Sequence, residues 1–418
     1  MLLDSRGATL RIFKVFSTNV FVLLSVLLAV QVGLGILGST TEIDAVGDVV
    51  NVYKPWADAL QPAGKWLGLA APWVYPFMAW VPILLAKAIG FVDYLNSWML
   101  LAGALNIFAA GQLVRWGRRP EAFRAAWYFV AFLALLGPVA ITRLDGISVA
   151  LALIGVASIT VVGDKLVASR AMAWFMVAAW LKVWPAALIL ALLQKGKALK
   201  SQLIVLAASL GVVLALAVLL GANQNLFSFV SMQSRRGLQI ESPISLVWIW
   251  LGFFGLAHGL IYFDTELITY QVAGDGAAQV AALMGAAMVL AIGITAWLMW
   301  RGLKAGAKPA HLASLTALTA TLDLIVFNKV GSPQYQLWVV AAVVLGLAFG
   351  VPNWRVPTLV TLALAGLTQA VYPMFYDNLV MLQLPAVLLL TARNLGLIYL
   401  LVWSNQQLGR LAKSQALH

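Results

Sequence analysis

Four carboxylates, Glu42, Asp44, Asp48 and Asp58, crowd into the stretch STTEIDAVGDVVNVYKPWADALQPAG from Ser39 to Gly64. The 418-residue chain has only 15 acidic side chains, so this is a local concentration. Asp48 is followed by Tyr53, Trp56 and the aromatic, proline-rich run Trp73-Val-Tyr75-Pro76. A carboxylate beside aromatic rings is partly desolvated, which is one way a general base is tuned. Asp44 is the rival base and would share a face with Asp48 if this loop is helical. The plainer reading has Asp48 capping a helix or pairing with Lys54.

Cations complement these acids elsewhere. Arg143-Leu-Asp145 fills a very short turn between two apolar runs, where a structural ion pair or cap competes with a role in binding. Lys182 stands in Lys182-Val-Trp184-Pro185, a break inside another apolar run. Charges within membrane segments are costly and mark functional sites, and the expected partner is either an anionic lipid phosphate or Asp323. Ser234-Arg235-Arg236-Gly237-Leu-Gln239-Ile-Glu241-Ser242 carries adjacent arginines suited to bidentate phosphate binding; anionic lipid headgroups would serve them equally. Asn328-Lys329-Val-Gly331-Ser332-Pro333-Gln334-Tyr335 is a tight turn with one cation and several hydrogen-bonding side chains.

The elements that must position these residues are membrane spans. The chain is 62% hydrophobic and 10% charged, with a mean hydropathy of +0.93, whereas soluble domains carry about 25% charged residues. Apolar runs of roughly 20 residues recur throughout, the signature of transmembrane helices. Arg6, Arg11 and Lys14 precede the first run with no clear cleavage site after it, so the reading is a retained span. The expected fold is an all-α polytopic membrane protein, with residues 1–418 forming one domain.

The net charge of +12 sets the topology, because basic residues collect in cytoplasmic loops. Arg11/Lys14, Arg115–Arg124, Lys165/Arg170, Lys195–Lys200, Arg301–Lys308, Arg355 and Arg410/Lys413 serve as the cytoplasmic fixed points. An even number of crossings must separate successive clusters. That parity predicts a non-spanning helix at 73–90 and splits 171–194 at Lys182. About twelve spans result: 17–38, 93–114, 124–141, 147–163, 171–182, 184–194, 201–221, 280–300, 310–327, 336–351, 357–375 and 391–406. Both termini are then cytoplasmic, and 39–92, 222–279 and 376–390 form the extracytoplasmic face. An interfacial helix at 73–90, an apolar run at 245–262 lying on the surface and a small hairpin in LIYFDTELITYQVAGDGA complete that face.

Some chemistry is excluded. There is no cysteine, so disulfides and thiolate metal sites are impossible, and the three histidines never fall at metal-binding spacing. The basic clusters lack the interleaved aromatics of a strand-binding groove, which argues against nucleic acid. The absence of an obvious repeat weakens an inverted-repeat transporter.

In this order and on one membrane side, Asp48-x-x-x-Val-Tyr53, Trp73-Val-Tyr75-Pro76, Arg143-Leu-Asp145-Gly146, Lys182-Val-Trp184-Pro185, Arg236-Gly-Leu-Gln239-Ile-Glu241-Ser242 and Asn328-Lys329-x-Gly-Ser-Pro333-Gln334 resemble the GT-C superfamily of polyprenyl-phosphate-sugar-dependent glycosyltransferases. Within it the chain is most similar to family 87, actinobacterial-type enzymes related to the phosphatidylinositol-mannoside mannosyltransferases. The resemblance covers nearly the whole chain. It implies a multi-pass plasma-membrane enzyme with an extracytoplasmic site and an inverting transfer, mannose leading and arabinofuranose second. Asp48 or Asp44 would be the base, and Lys182, Arg235, Arg236 and Lys329 would hold the donor phosphate. Tyr53, Trp73, Tyr75, Arg143, Asp145, Gln239, Glu241, Asn328 and Gln334 would bind substrate. The implied partners are a polyprenyl-phosphate sugar, a glycolipid or glycan acceptor and membrane lipids. No organic cofactor is implied, and a divalent ion is left open. A flippase for lipid-linked sugars is the rival from another class.

Overall fold

Apolar stretches of this length become helices because a backbone in hydrocarbon has to satisfy its own N–H and C=O groups. In the computed structural model of the chain, the described residues are 17–40, 45–59, 66–162, 165–222, 224–234, 236–265 and 267–413. Helix α1 (Val20–Thr40) leads into a π-helical turn (Asp48–Tyr53) and a short helix, α2 (Lys54–Ala59). Then come α3 (Trp80–Ile89), α4 (Tyr94–Leu113), α5 (Phe123–Leu136) and α6 (Leu144–Ser158). Strands β1 (Thr160–Val162) and β2 (Lys165–Val167) form a hairpin, followed by α7 (Ser169–Leu181), α8 (Ala186–Leu192), α9 (Gly196–Leu219) and α10 (Ser228–Ser234).

The remainder contains β3 (Leu238–Gln239), α11 (Leu246–Phe253), β4 (Leu260–Asp264) and β5 (Thr269–Ala273). Helices α12 (Ala277–Lys304), α13 (Pro309–Val326), α14 (Trp338–Ala348), α15 (Arg355–Gln369), α16 (Tyr376–Val380) and α17 (Leu384–Lys413) end it.

Among the described residues seven helices are long and apolar enough to cross a membrane, or eight if α3 and α4 count as one broken span. Each of the twelve expected segments is helical, but α6, α7, α8 and α14 are short. The segment expected not to span forms α3, in a helix that turns 117° away from α4. The expected hairpin is present as antiparallel β4 and β5, and β3 pairs with β5 to make three strands. Two details differ from the sequence reading. The β-branched run Thr160–Val162 leaves the helix early to form the β1–β2 hairpin, and α17 begins at Leu384, so much of 376–390 is helical.

Helix α6 is buried along nearly its whole length, as are α13 and α14, so these form the centre. By contrast α1, α9 and α12 expose large apolar side chains such as Phe21, Leu219 and Leu290. Such helices cannot be stable facing water, and lipid is the solvent that suits them.

Cross-contacts fix which helix ends meet. Trp98, near the start of α4, donates its indole N–H to Ile141 O at 3.0 Å in the α5–α6 turn. At the far end Trp127 donates to Ser17 O, and Arg119 to Ala348 O. The C-terminal ends of α1, α5, α13 and α15 therefore gather at one end with the N-terminal ends of α4, α6 and α14.

The α5–α6 turn depends on Gly137, whose φ of 77° and ψ of −159° belong to a region essentially restricted to glycine. A Cβ there would also overlap the Gln369 side-chain amide. Gly137→Ala is expected to cost about 1–3 kcal/mol from the backbone alone. Thermal unfolding in detergent should fall by several degrees; an unchanged midpoint would mean the turn is not held as described.

Candidate functional site

The gathered helix ends carry two ion pairs, Asp48–Arg143 and Asp145–Lys182. After α1 the chain tightens into the π-helical turn, which brings Asp48 and Tyr53 to one side; Tyr53 donates to Asp48 Oδ2 at 3.3 Å. Asp48 then meets Arg143 from the α5–α6 turn, Nη1 to Oδ1 at 2.8 Å, an ion pair lacking hydrogen-bond alignment. The Arg143 side chain is 6% exposed and the Asp48 carboxylate 31%, so the acid is the accessible partner. Arg143 also donates to Tyr372 Oη at 3.3 Å, and Tyr53 Oη accepts the Leu144 amide.

Asp145 forms the second pair. It lies in the first turn of α6, where its charge suits the positive end of the helix dipole. Its Oδ2 meets Lys182 Nζ at 3.1 Å, and its Oδ1 accepts the Trp338 indole N–H at 2.7 Å. Lys182 can reach it because the chain leaves helical geometry there (φ −154°, ψ 130°), just ahead of Pro185. The ammonium also sits 4.5 Å above the Tyr75 ring, a cation–π contact. Trp338 is clasped between Tyr335, stacked at 4.0 Å, and Trp184, whose indole donates to Ser148.

The two pairs close into a ring through aromatics. Tyr53, Trp56 and Tyr75 are linked at centroid separations of 6.1 and 6.0 Å, and Trp56 and Tyr75 both pack against Trp73. Burial pushes the Tyr53 and Tyr75 hydroxyls above the ordinary phenol range. They remain neutral donors and acceptors at neutral pH.

A third group adjoins this ring. The positive charge of Arg236 acts on Tyr75, Tyr335 and Lys329. Arg236 has no carboxylate within ion-pair distance among the described residues, and its Nε is buried without a hydrogen bond. Burial, then the neighbouring Arg236, holds the Lys329 amine below the ordinary lysine range. An anion would relieve both effects.

The expected site residues thus divide. Asp48, Tyr53, Tyr75, Arg143, Asp145, Lys182, Arg236 and Lys329 converge. Trp73 is buried in the aromatic wall, with its backbone amide donating to Ser228 Oγ at 2.9 Å. Gln239 and Glu241 are engaged internally: Gln239 Oε1 accepts from Gly331 N and Ser332 Oγ, and Glu241 pairs with Arg393. Asn328 Oδ1 accepts the Val330 amide within its own turn, and Gln334 is buried below the turn. Asp44 and Arg235 lie outside the described residues.

Two expected pairings are replaced. Asp48 meets Arg143, while Lys54 binds Asp58 at 2.8 Å. Lys182 meets Asp145, while Asp323 accepts a hydrogen bond from Thr295 at 2.6 Å between α13 and α12. Trp338, Tyr372 and Arg393 were not singled out by sequence. Arg393 carried a signal, being a charge inside an apolar run; Trp338 and Tyr372 read as ordinary interface aromatics.

Among the described residues no group of three or more His, Asp or Glu stands together to hold a metal ion. Comparison with family models, curated proteins and solved structures gives no match.

Removing one partner of a buried pair leaves the other charge uncompensated, which costs about 3–5 kcal/mol. Lys182→Met should therefore lower the unfolding midpoint sharply by stranding Asp145, which is 1% exposed. Adding Asp145→Leu should recover most of the loss, and adding Asp323→Leu should not. The reverse order in thermal unfolding would restore the Asp323 pairing.

Proposed function

We propose that the chain is a membrane glycosyltransferase that moves a sugar from a polyprenyl-phosphate donor to a glycolipid or cell-envelope glycan. Asp48 is the general base and Arg236 with Lys329 is the phosphate-binding pair. The observation that carries this reading is the combination at one end of an apolar bundle. A half-open carboxylate, oriented by Arg143 and Tyr53, stands in the same cluster as an arginine lacking a carboxylate partner. Lys182 is already neutralised by Asp145, so in this reading it fixes the floor and Arg236 takes the donor charge.

The chemistry is a displacement. An acceptor hydroxyl attacks the anomeric carbon and gives its proton to Asp48, while the bond from that carbon to the phosphate oxygen breaks. The departing phosphate gains negative charge, and cations aimed at it stabilise the transition state more than the ground state. Mannose is the favoured sugar by resemblance, with arabinofuranose as the alternative.

The proposed topology has about twelve crossings with both termini cytoplasmic. It is supported by basic residues such as Arg119 and Lys304, which among the described residues fall at the helix ends opposite the site. A plasma-membrane location with an extracytoplasmic site follows from the same charge rule. A lipid-carried donor suits that side, where nucleotide sugars are not supplied.

Membranes containing the protein, incubated with labelled polyprenyl-phosphate sugars, should yield a labelled glycolipid or glycan. Asp48→Asn should reduce transfer by about 10²–10⁴-fold, the usual range for a general base; because it also strands the buried Arg143, the transfer is compared at a temperature where the variant is still folded by its own unfolding midpoint. Arg236→Met should raise the donor KM and leave the acceptor KM unchanged. Normal turnover in Asp48→Asn would overturn Asp48 as base, and movement of label across the membrane without transfer would replace the enzyme with a flippase.

A further inference from the structure

Arg236 and Lys329 lie on loops about 90 residues apart in sequence, and like charges repel. Something has to hold them together. The 238–245 loop and the 328–335 turn are bound to each other through main chain and one side chain: Gln239 N donates to Lys329 O at 2.9 Å, and Gly331 N donates to Gln239 Oε1 at 3.0 Å. Gly331 lies so close that a Cβ would overlap the Glu241 carbonyl carbon and the Ser242 amide.

This double loop is anchored from one further helix. Arg393, well inside α17 and 1% exposed, donates from Nη1 to Glu241 Oε2 at 2.5 Å. Its second amino group reaches Glu241 O and Asn394 Oδ1, and Asn394 Nδ2 reaches Glu241 O and Ser242 O. A buried pair of this kind is weak grounds for stability, because apolar residues of similar volume often do as well. Its geometry is a different matter: the planar guanidinium fixes both the side chain and the carbonyl of one residue.

We propose that Arg393, acting through Glu241, is a positioning residue that holds Arg236 and Lys329 in one anion-binding arrangement; this rests on the phosphate-binding reading above. The lock also commits the Glu241 charge. The ligand class is a lipid phosphate ester: a diester while the sugar is attached, and a monoester once it has left.

The test measures binding rather than transfer, using dodecyl phosphate as the probe and the full-length chain in detergent. The variants are Arg393→Met, Arg393→Met with Glu241→Leu, Arg393→Lys and Arg236→Met, each with its thermal unfolding midpoint. The unmodified chain should bind the probe, and Arg236→Met should weaken it at least tenfold. The double variant should unfold within a few degrees of the unmodified chain yet lose at least tenfold in affinity, with a shallower salt dependence. If the double variant does not fold, Arg393→Lys serves instead: it keeps the charge, loses the fork, and should bind several-fold more weakly. Unchanged affinity in a folded double variant, or in Arg393→Lys where the double variant does not fold, overturns the positioning role. Absence of binding by the unmodified chain overturns the phosphate reading itself, and the proposal with it.

Discussion

A charge enclosed by apolar helices has to find its opposite, and at this end of the bundle that requirement decides the path of the chain. Two ion pairs, Asp48–Arg143 and Asp145–Lys182, share the three residues of one turn, since Arg143 and Asp145 flank Leu144. Holding both at once forces the first loop to fold back over α6 and forces the α7–α8 break to lie against the start of α6. The tight π-helical turn and the extended conformation at Lys182 are local concessions to that demand. Neither pair is interchangeable with the other, because Asp145 is sealed and Asp48 is open.

The helices were legible because composition alone identifies a segment whose backbone has to satisfy itself. The β4–β5 hairpin was legible from its alternation. Partner choice was not legible. Lys54 is the nearest cation to Asp48 in sequence, yet on a helix the i, i+4 neighbour is Asp58, and that is where Lys54 goes. Asp323 was attractive for Lys182 because both are charges in apolar runs, but a threonine hydroxyl on α12 satisfies it. Periodicity reports which residues face inward, not which helix they face. Arg393 was missed for a simpler reason: the expected span was begun at residue 391, which put the arginine at its edge, whereas α17 begins at Leu384 and carries it well inside the helix.

The site combines fixed and open parts. Trp338 and Trp184, through Ser148, tie Asp145 and the start of α6 to α14 and to the α7–α8 break, and the Gly331 contact leaves the paired loops no slack. Asp48 instead rests on a single turn of unusual helix held by Tyr53 and Arg143. In the proposed function Asp48 would receive a proton and later release it, and such a mount suits that role while its cationic surroundings stay still.

The short central helices have a consequence for the surrounding lipid. Helix α6, with 15 residues, is roughly 22 Å long and α14, with 11, shorter still, against a hydrocarbon core of about 30 Å. Wherever α12 and α17 reach fully across, these two stop short. In the proposed function, a polar ring set below the headgroup level would draw water and headgroups down into a dimple, so that an isoprenoid phosphate would arrive sideways from the leaflet with its tail still in hydrocarbon. On the same reading bilayer thickness would become a determinant of turnover, because mismatch would set the depth at which lipid phosphate and Arg236 meet.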